Sequence, residues 1–304
     1  MHVALIGYGE VGKILAEDLR AAGHEVTAFD TKLSTAAGAP MRAHSLVHGV
    51  TLAESPASAT RWAELTVSAV TASQTVAAAE ACAAGLPAGS FFLDHNSTSP
   101  GAKITASAHV ARGGARYVEG AVMTAVPPHR IKVPLLLGGP HAEEVLPTLA
   151  ELGFAAQVAS AELGVASATK MCRSVIVKGL EAMVIESFTA ARRYRVEDAM
   201  IASLRETFPG VDWEQQAAYF FQRVIKHGRR RAEEMREAAV TVREAGLDPW
   251  AAAGAAERQL WVADLADAGL FDEQRRSPVA AVPDWRVEAD RILDHANPSR
   301  GTDR

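Results

Sequence analysis

Gly7, Gly9 and Gly12, with Asp30 beyond them, are the residues whose types and spacing most directly imply chemistry. Gly7 suits a tight turn, Gly9 lets the backbone approach a pyrophosphate, and Gly12 lets a helix pack closely on a strand. The start of that helix offers free N–H groups and a partial positive charge to phosphates. Asp30 is placed to accept hydrogen bonds from both hydroxyls of an adenine ribose. A 2′-phosphate would meet a like charge there, which favours NAD; NADP stays possible because Lys32 lies close by. The cofactor-binding candidates are Gly7, Tyr8, Gly9, Glu10, Val11, Gly12, Asp30 and Thr31, with Val70, Thr71 and Asn96 farther along. A glycine-rich turn in an unrelated α/β domain is the bland alternative.

Further candidates cluster at strand ends, where open α/β sheets bind ligands. Val70-Thr71-Ala72 would pass near a nicotinamide. Asp94-His95-Asn96-Ser97-Thr98-Ser99-Pro100 concentrates small polar side chains before a helix start; Ser97, Thr98 or Ser99 could equally serve only as the N-cap. Glu119 to His129 runs a strand into a double-proline loop that could wall a pocket or merely turn the chain. Lys170 follows Gly164 and the small residues Ala166, Ser167 and Ala168 on a mostly apolar helix, where a lysine needs water or a partner. Lys226 to Arg231 is basic; the i,i+4 spacing of Arg229 with Glu233 and Arg230 with Glu234 suggests a solvated face or a dimer rim. No His/Asp/Cys cluster has ligand spacing, so no metal is expected.

The elements that must hold these residues read as follows. His2–Ile6 is a strand, Lys13–Ala22 a helix, and Glu25–Phe29 a second strand. Ser45–Leu52 holds a short third strand. Leu65–Val70, Ser90–Asp94, Tyr117–Val122, Val133–Leu137 and Phe154–Val158 are further strands alternating with helices, which implies a Rossmann-type, mainly parallel α/β sheet. One long helix spans Glu162 to about Arg193, and only helices follow, at 196–207, 212–245, 249–265 and 284–296. The expected division is a dinucleotide-binding domain over 1–160, an all-helical substrate and dimerisation domain over 161–296, and a frayed tail over 297–304.

A chain of 304 residues can bury a sizeable core. A net charge of −5 gives no support for nucleic acid or an anionic membrane as partner. Cys82 and Cys172 show no CxxC pairing and read as reduced core residues. The first strand begins at residue 2, leaving no room for a signal peptide, and no apolar run of about 18 residues is present, so the expected location is the cytoplasm.

With these motifs in order over nearly the whole chain, the sequence resembles the β-hydroxyacid dehydrogenases, the group of 3-hydroxyisobutyrate dehydrogenase and 6-phosphogluconate dehydrogenase. Gly7–Gly12, Asp94–Pro100, Glu119-Gly120-Ala121-Val122 and Gly164 leading to Lys170 carry the resemblance; the stretch Lys170–Glu181 looks like the subgroup with a 6-phosphogluconate-dehydrogenase-like helical domain. The resemblance implies an NAD(P)-dependent oxidoreductase interconverting a small 3-hydroxy acid and its aldehyde or ketone. In it, Lys170 is the general acid/base, Asn96 and Ser97 hold substrate, and Val122, Met123, Thr124 and Ser174 line the substrate site. A free lysine titrates near 10.4, so burial and a positive nicotinamide would have to lower it. Met123-Thr124-Ala125 replaces the family's Ser-Gly-Gly, and Ser174 replaces an asparagine, so substrate identity departs from the family's pattern. The expected assembly is a homodimer with the site between the domains. The rival readings are an imine reductase of the same architecture, against which Lys170 argues, and a non-catalytic NAD(H)-binding regulator.

Overall fold

The computed structural model describes residues 1–272 and 284–296; the tail expected over 297–304 lies outside the described residues. The chain forms two compact units, Met1–Cys172 with Val240–Gly246, and Arg173–Ala239 with the described residues from Leu247 onward.

The first unit is an eight-stranded sheet. Its strands are β1 (His2–Ile6), β2 (Glu25–Phe29), β3 (Thr51–Leu52), β4 (Leu65–Ser68), β5 (Phe91–Asp94), β6 (Arg116–Val122), β7 (Leu135–Gly138) and β8 (Ala156–Ser160). They lie in the order β3-β2-β1-β4-β5-β6-β7-β8, and every pairing is parallel except β6 with β7. The path turns back between β1 and β4, the crevice where doubly wound sheets bind ligands. Strand β4 (Leu-Thr-Val-Ser) and strand β5 (Phe-Phe-Leu-Asp) are buried along their whole length, as expected of central strands in a sheet covered on both faces. The helices of this unit include α1 (Glu10–Ala21), α2 (Ala39–His48), α3 (Pro56–Thr60), α4 (Thr75–Cys82), α5 (Pro100–Arg112), α6 (Val126–His129) and α7 (Ala142–Glu151).

The short third strand expected within Ser45–Leu52 is Thr51–Leu52, and the residues before it are helical. Residues 45–48 belong to α2, and only Thr51–Leu52 remain as strand. Pro40 in its first turn starts that helix, and Gly49, in the left-handed conformation at φ 65°, ends it, leaving two residues to pair with β2.

A charged node is built into the sheet core at the end of β5. The Lys103 ammonium lies 2.9 Å from an Asp94 carboxylate oxygen and donates to the Asp94 carbonyl at 2.8 Å and to the Gly120 carbonyl at 3.3 Å. Tyr117 donates its hydroxyl to the other Asp94 oxygen at 2.7 Å. Both charged side chains are fully buried, so neither tolerates loss of the other. Burial, then the Asp94 charge, pushes the Tyr117 phenol well above its usual value.

The long helix α8 (Val165–Tyr194) carries the chain into the second unit, which holds α9 (Glu197–Thr207), α10 (Trp213–Glu244), α11 (Trp250–Asp267) and α12 (Trp285–Ala296). Phe188, Phe221 and Trp285 centre its core. Around them runs a buried ionic network. Arg231 grips Glu181 with two nitrogens, one at 2.8 Å; Lys178 pairs with Glu234; and Gln259 donates to the Lys178 carbonyl at 3.2 Å. Burial draws the Lys178 amine below its usual range, while Glu234 opposes that shift.

The basic run is in part the solvated face expected of it, since Arg229 and Arg230 are exposed. Arg229 pairs with Asp264 and Asp267 of α11, at 2.7 and 2.6 Å, and not with Glu233 as the spacing suggested. Arg230 keeps its i,i+4 partner Glu234 at 4.0 Å, and Arg231 is buried. Cys82 is a core residue whose thiol burial raises to about 12, whereas Cys172 is exposed, contrary to expectation. Among the described residues no helix is long and apolar enough to cross a membrane.

Replacing Lys103 by methionine leaves a buried Asp94 charge without its cation. The expected loss is about 3–5 kcal/mol of unfolding free energy, read from the urea midpoint; an unchanged midpoint would show that the pair does not hold the core.

Candidate active site

Strands β1, β4 and β5 are neighbours, so the residues after Ile6, Ser68 and Asp94 emerge side by side. After β1 the three glycines act differently. Gly7 has φ +97°, and a Cβ there would stand 2.4 Å from the Ala69 carbonyl oxygen of the adjacent strand end. A Cβ at Gly12 would meet the Gly7 oxygen at 2.1 Å, so Gly12 closes the helix onto the turn. At Gly9 a Cβ would meet nothing within 4 Å. The free space lies on the ligand side, at the N-terminus of α1, where Gly9 is the N-cap and no side chain caps the first N–H groups. Those donors and the helix dipole suit a phosphate.

Asp30 completes this turn. Its two carboxylate oxygens accept the Tyr8 and Lys32 N–H groups, each at 2.9 Å. The carboxylate is thus aimed before any ribose arrives, and each oxygen retains lone-pair capacity for a hydroxyl. The residues present fit a dinucleotide. Tyr8 contributes through its backbone; its ring is buried and its hydroxyl bonds His44 Nδ1 at 2.8 Å, with burial, then Glu17, raising the phenol to about 12. Glu10 and Thr31 are exposed, and Val11 packs against the core.

After β4 and β5, one side chain joins the two strand ends. Asn96 accepts the Val70 N–H at 2.7 Å through Oδ1 and donates through Nδ2 to Ser68 Oγ at 3.0 Å. Thr71, just past Val70, is exposed. Of the three candidate caps for α5, Ser99 accepts the Ala102 N–H, which leaves Ser97 for another partner. That partner is Lys170, whose ammonium donates to Ser97 Oγ. The lysine is half-buried, so neither the bland reading of Ser97 as a cap nor that of Lys170 as a surface side chain describes them.

Lys170 is aimed by the start of its helix. Glu119, fully buried on β6, accepts the Gly164 N–H at 2.7 Å and the Ser167 N–H at 2.5 Å. A carboxylate at a helix N-terminus satisfies orphan donors and opposes the helix dipole. Gly138 on β7 makes room for it, since a Cβ there would stand 2.5 Å from Glu119 Oε2. Glu119 opened a stretch expected only as a candidate pocket wall, and Lys103 carried no expectation. Their signal is nonetheless present in the sequence: a charge inside a buried strand or helix demands a partner.

Val122 is a core residue of β6; Met123 closes the strand with its N–H on the Pro134 carbonyl at 3.0 Å; Thr124 is exposed. Ser174, described within the second unit, is buried and accepts from Lys178 Nζ at 3.4 Å. His95, part of the Asp94–Pro100 candidate stretch, is buried; its Nε2 has no hydrogen-bond partner, and burial, then Lys170 and Lys103, bring its pKa down to about 3. An unfolded histidine takes up a proton near pH 6.5, so stability falls as pH drops from there towards 3.

The fold also gathers Glu17, His44 and His48, whose ligand atoms lie within 4.8 Å of one another. Sequence spacing gave no sign of this cluster. Glu17 is already engaged by His44 and by Arg130 at 2.7 Å, and that guanidinium disfavours a cation.

Residues 2–153 match the NAD binding domain of 6-phosphogluconate dehydrogenase, and residues 191–262 match a domain of unknown function, DUF1932. No curated protein sequence is significantly similar to the chain. Among solved structures, a conserved hypothetical protein from Sinorhizobium meliloti is 33% identical, with a TM-score of 0.74 over 96% of this chain and 95% of that one. A conserved protein of unknown function, described as structurally similar to 3-hydroxyacid dehydrogenases, is 27% identical (TM-score 0.68; 91% and 100% covered). The 3-hydroxyisobutyrate dehydrogenase of Mycobacterium tuberculosis, solved with L-serine, is 16% identical (TM-score 0.67; 96% and 98% covered).

Two substitutions test the cradle. Gly9→Ala should leave the thermal midpoint unchanged yet weaken NADH binding by about tenfold or more in a fluorescence titration, because only the ligand competes for that space. Glu119→Gln should lower the unfolding free energy by about 1–3 kcal/mol, since its amide NH2 faces one helix N–H; equal denaturation curves would remove Glu119 as the anchor of α8.

Proposed function

We propose that this chain, which belongs to the β-hydroxyacid dehydrogenase family, interconverts a small 3-hydroxy acid and its aldehyde or ketone, with NAD preferred and Lys170 as general acid/base. The observation that carries the reading is the Lys170–Ser97 hydrogen bond at the carboxyl end of β5, on a helix anchored by Glu119. A dinucleotide held by the Gly7–Gly12 turn and Asp30 would supply the hydride acceptor for oxidation and the hydride donor for reduction.

The chain's own residues do the rest. Lys170, as the free amine, takes the hydroxyl proton during oxidation and returns it to the oxygen during reduction. Ser97 accepts from the Lys170 amine and would bond the same oxygen. Asn96 ties the loop after β4 to the loop after β5, so cofactor and substrate segments keep one spacing. Asp30 supports NAD over NADP because a 2′-phosphate would abut its carboxylate. L-serine, with which the mycobacterial relative was solved, is itself a 3-hydroxy acid and supports that substrate class here. An imine reductase has no need of a lysine hydrogen-bonded to Ser97. Exposed Ile176 and Met183 on α8 support association as a homodimer.

The test is the initial rate of nicotinamide reduction with a panel of small 3-hydroxy acids, NAD or NADP, and wild type beside Lys170→Ala and Asp30→Ser. Lys170→Ala should lose about a hundredfold or more in kcat. Asp30→Ser should lose its preference for NAD. Turnover that survives in Lys170→Ala refutes lysine acid/base chemistry.

A further inference from the structure

We infer that His44 is a positioning residue for the dinucleotide: through the Tyr8 hydroxyl it holds the Gly7–Gly9 turn in the shape that receives the pyrophosphate. The inference needs only the nucleotide cradle, so it goes beyond the proposed reaction and is independent of it. Tyr8 is the one side chain within that turn. Glycines flank it on both sides, and glycine has the widest choice of backbone conformations to lose. Side-chain control of the turn therefore runs through Tyr8. Its N–H is held by Asp30 at 2.9 Å, its ring is fully buried in the sheet core, and its hydroxyl meets His44 Nδ1 at 2.8 Å. The His44 ring stands edge-on to the phenol, with centroids 5.5 Å apart. A turn anchored in this way presents the free N–H groups of α1 already in place. A loose turn has to be ordered by the ligand, which costs affinity.

His44 is itself held from two sides. Its Nε2 lies 2.9 Å from Glu17 Oε1 on α1, and its ring stacks on that of His48, one helical turn along α2, at 4.3 Å. Hydrogen bonds from His44, then Arg130, keep the Glu17 carboxyl below its usual range, so it is an ionised acceptor. Nε2 therefore carries a proton, and in the neutral ring Nδ1 is the bare nitrogen that accepts the Tyr8 O–H. Arg130 completes the chain. Its guanidinium donates to Glu17 Oε2 at 2.7 Å and to Asp18 Oδ1 at 2.8 Å, and Asp18 also accepts the Ile131 N–H at 3.1 Å. Arg130 has φ 55°, in the left-handed region, where a non-glycine residue persists only when its surroundings hold it. The two carboxylates of α1 provide that hold. A continuous run of hydrogen bonds, Arg130–Glu17–His44–Tyr8, thus leads from the segment after α6 to the phosphate turn. With Glu17 committed to Arg130 and His44, and His44 committed to Tyr8, these groups orient one another and the turn.

The experiment titrates NADH, by fluorescence, into wild type, Tyr8→Phe, His44→Leu, His44→Asn and the double variant Tyr8→Phe with His44→Leu. Phenylalanine keeps the buried ring and removes only the hydroxyl. Asparagine brings Oδ1 close to the position of Nδ1, so it can still accept the Tyr8 O–H. Tyr8→Phe and His44→Leu should each weaken NADH binding about tenfold, and the double variant should lose no more than the worse single one. His44→Asn should stay within about threefold of wild type. Adenosine lacks the pyrophosphate, so its inhibition constant against NADH should be the same in every variant; a general loss of structure would weaken both ligands. Unchanged NADH affinity in Tyr8→Phe, losses that add in the double variant, or an equal loss of adenosine overturns the inference. If His44→Leu does not fold, Tyr8→Phe and His44→Asn decide between the outcomes. None of these measurements uses turnover, so they separate the role of His44 from that of Lys170.

Discussion

A carboxylate buried in a sheet must find donors, and for Glu119 the donors are the first N–H groups of α8. That constraint determines where α8 begins. Fixing Gly164 and Ser167 fixes the first turn, and Lys170 lies within the next. The arrangement also explains the small residues around it, since Gly138 leaves space for the carboxylate and Gly164 adopts φ +94° against Pro100. A charge that would be costly in isolation becomes a positioning device because the helix dipole and two hydrogen bonds meet it.

Asp94 solves the same problem by another route. It takes a cation, Lys103, and a phenol, Tyr117, and its Oδ1 also accepts the Asn96 N–H at 3.1 Å. The end of β5 is thereby rigid where the polar loop begins. Asn96, held by that loop, bridges to β4, and Ser97 meets Lys170. Active-site loops on such supports keep their geometry without help from the ligand, which is what lowers the entropic cost of bringing two reactants together.

The helical unit uses ionic groups differently. Lys178, Glu181, Arg231 and Glu234 sum to zero charge and satisfy one another with help from Gln259. Replacing one member would strand a buried charge, so the network specifies how α8, α10 and α11 meet. The basic run read from the sequence dissolves into these pairings: Arg231 faces inward and Arg229 reaches a neighbouring helix.

What the sequence determined by itself was whatever depends on local spacing. The glycines, the apolar strand runs and Asp30 specify the nucleotide turn because tight backbone turns and helix starts are short-range features. The order of motifs down to Lys170 marks the family for the same reason. Tertiary structure alone decided which of Ser97, Thr98 and Ser99 is a cap and which meets the lysine, that Glu119 anchors α8, that residues 45–48 are helical, that Cys172 faces solvent, and that His95 is buried. Each of these turns on the partner of a polar or small side chain. Such partners come from residues far away in the chain, and no local pattern encodes which of them the fold will bring within hydrogen-bonding distance.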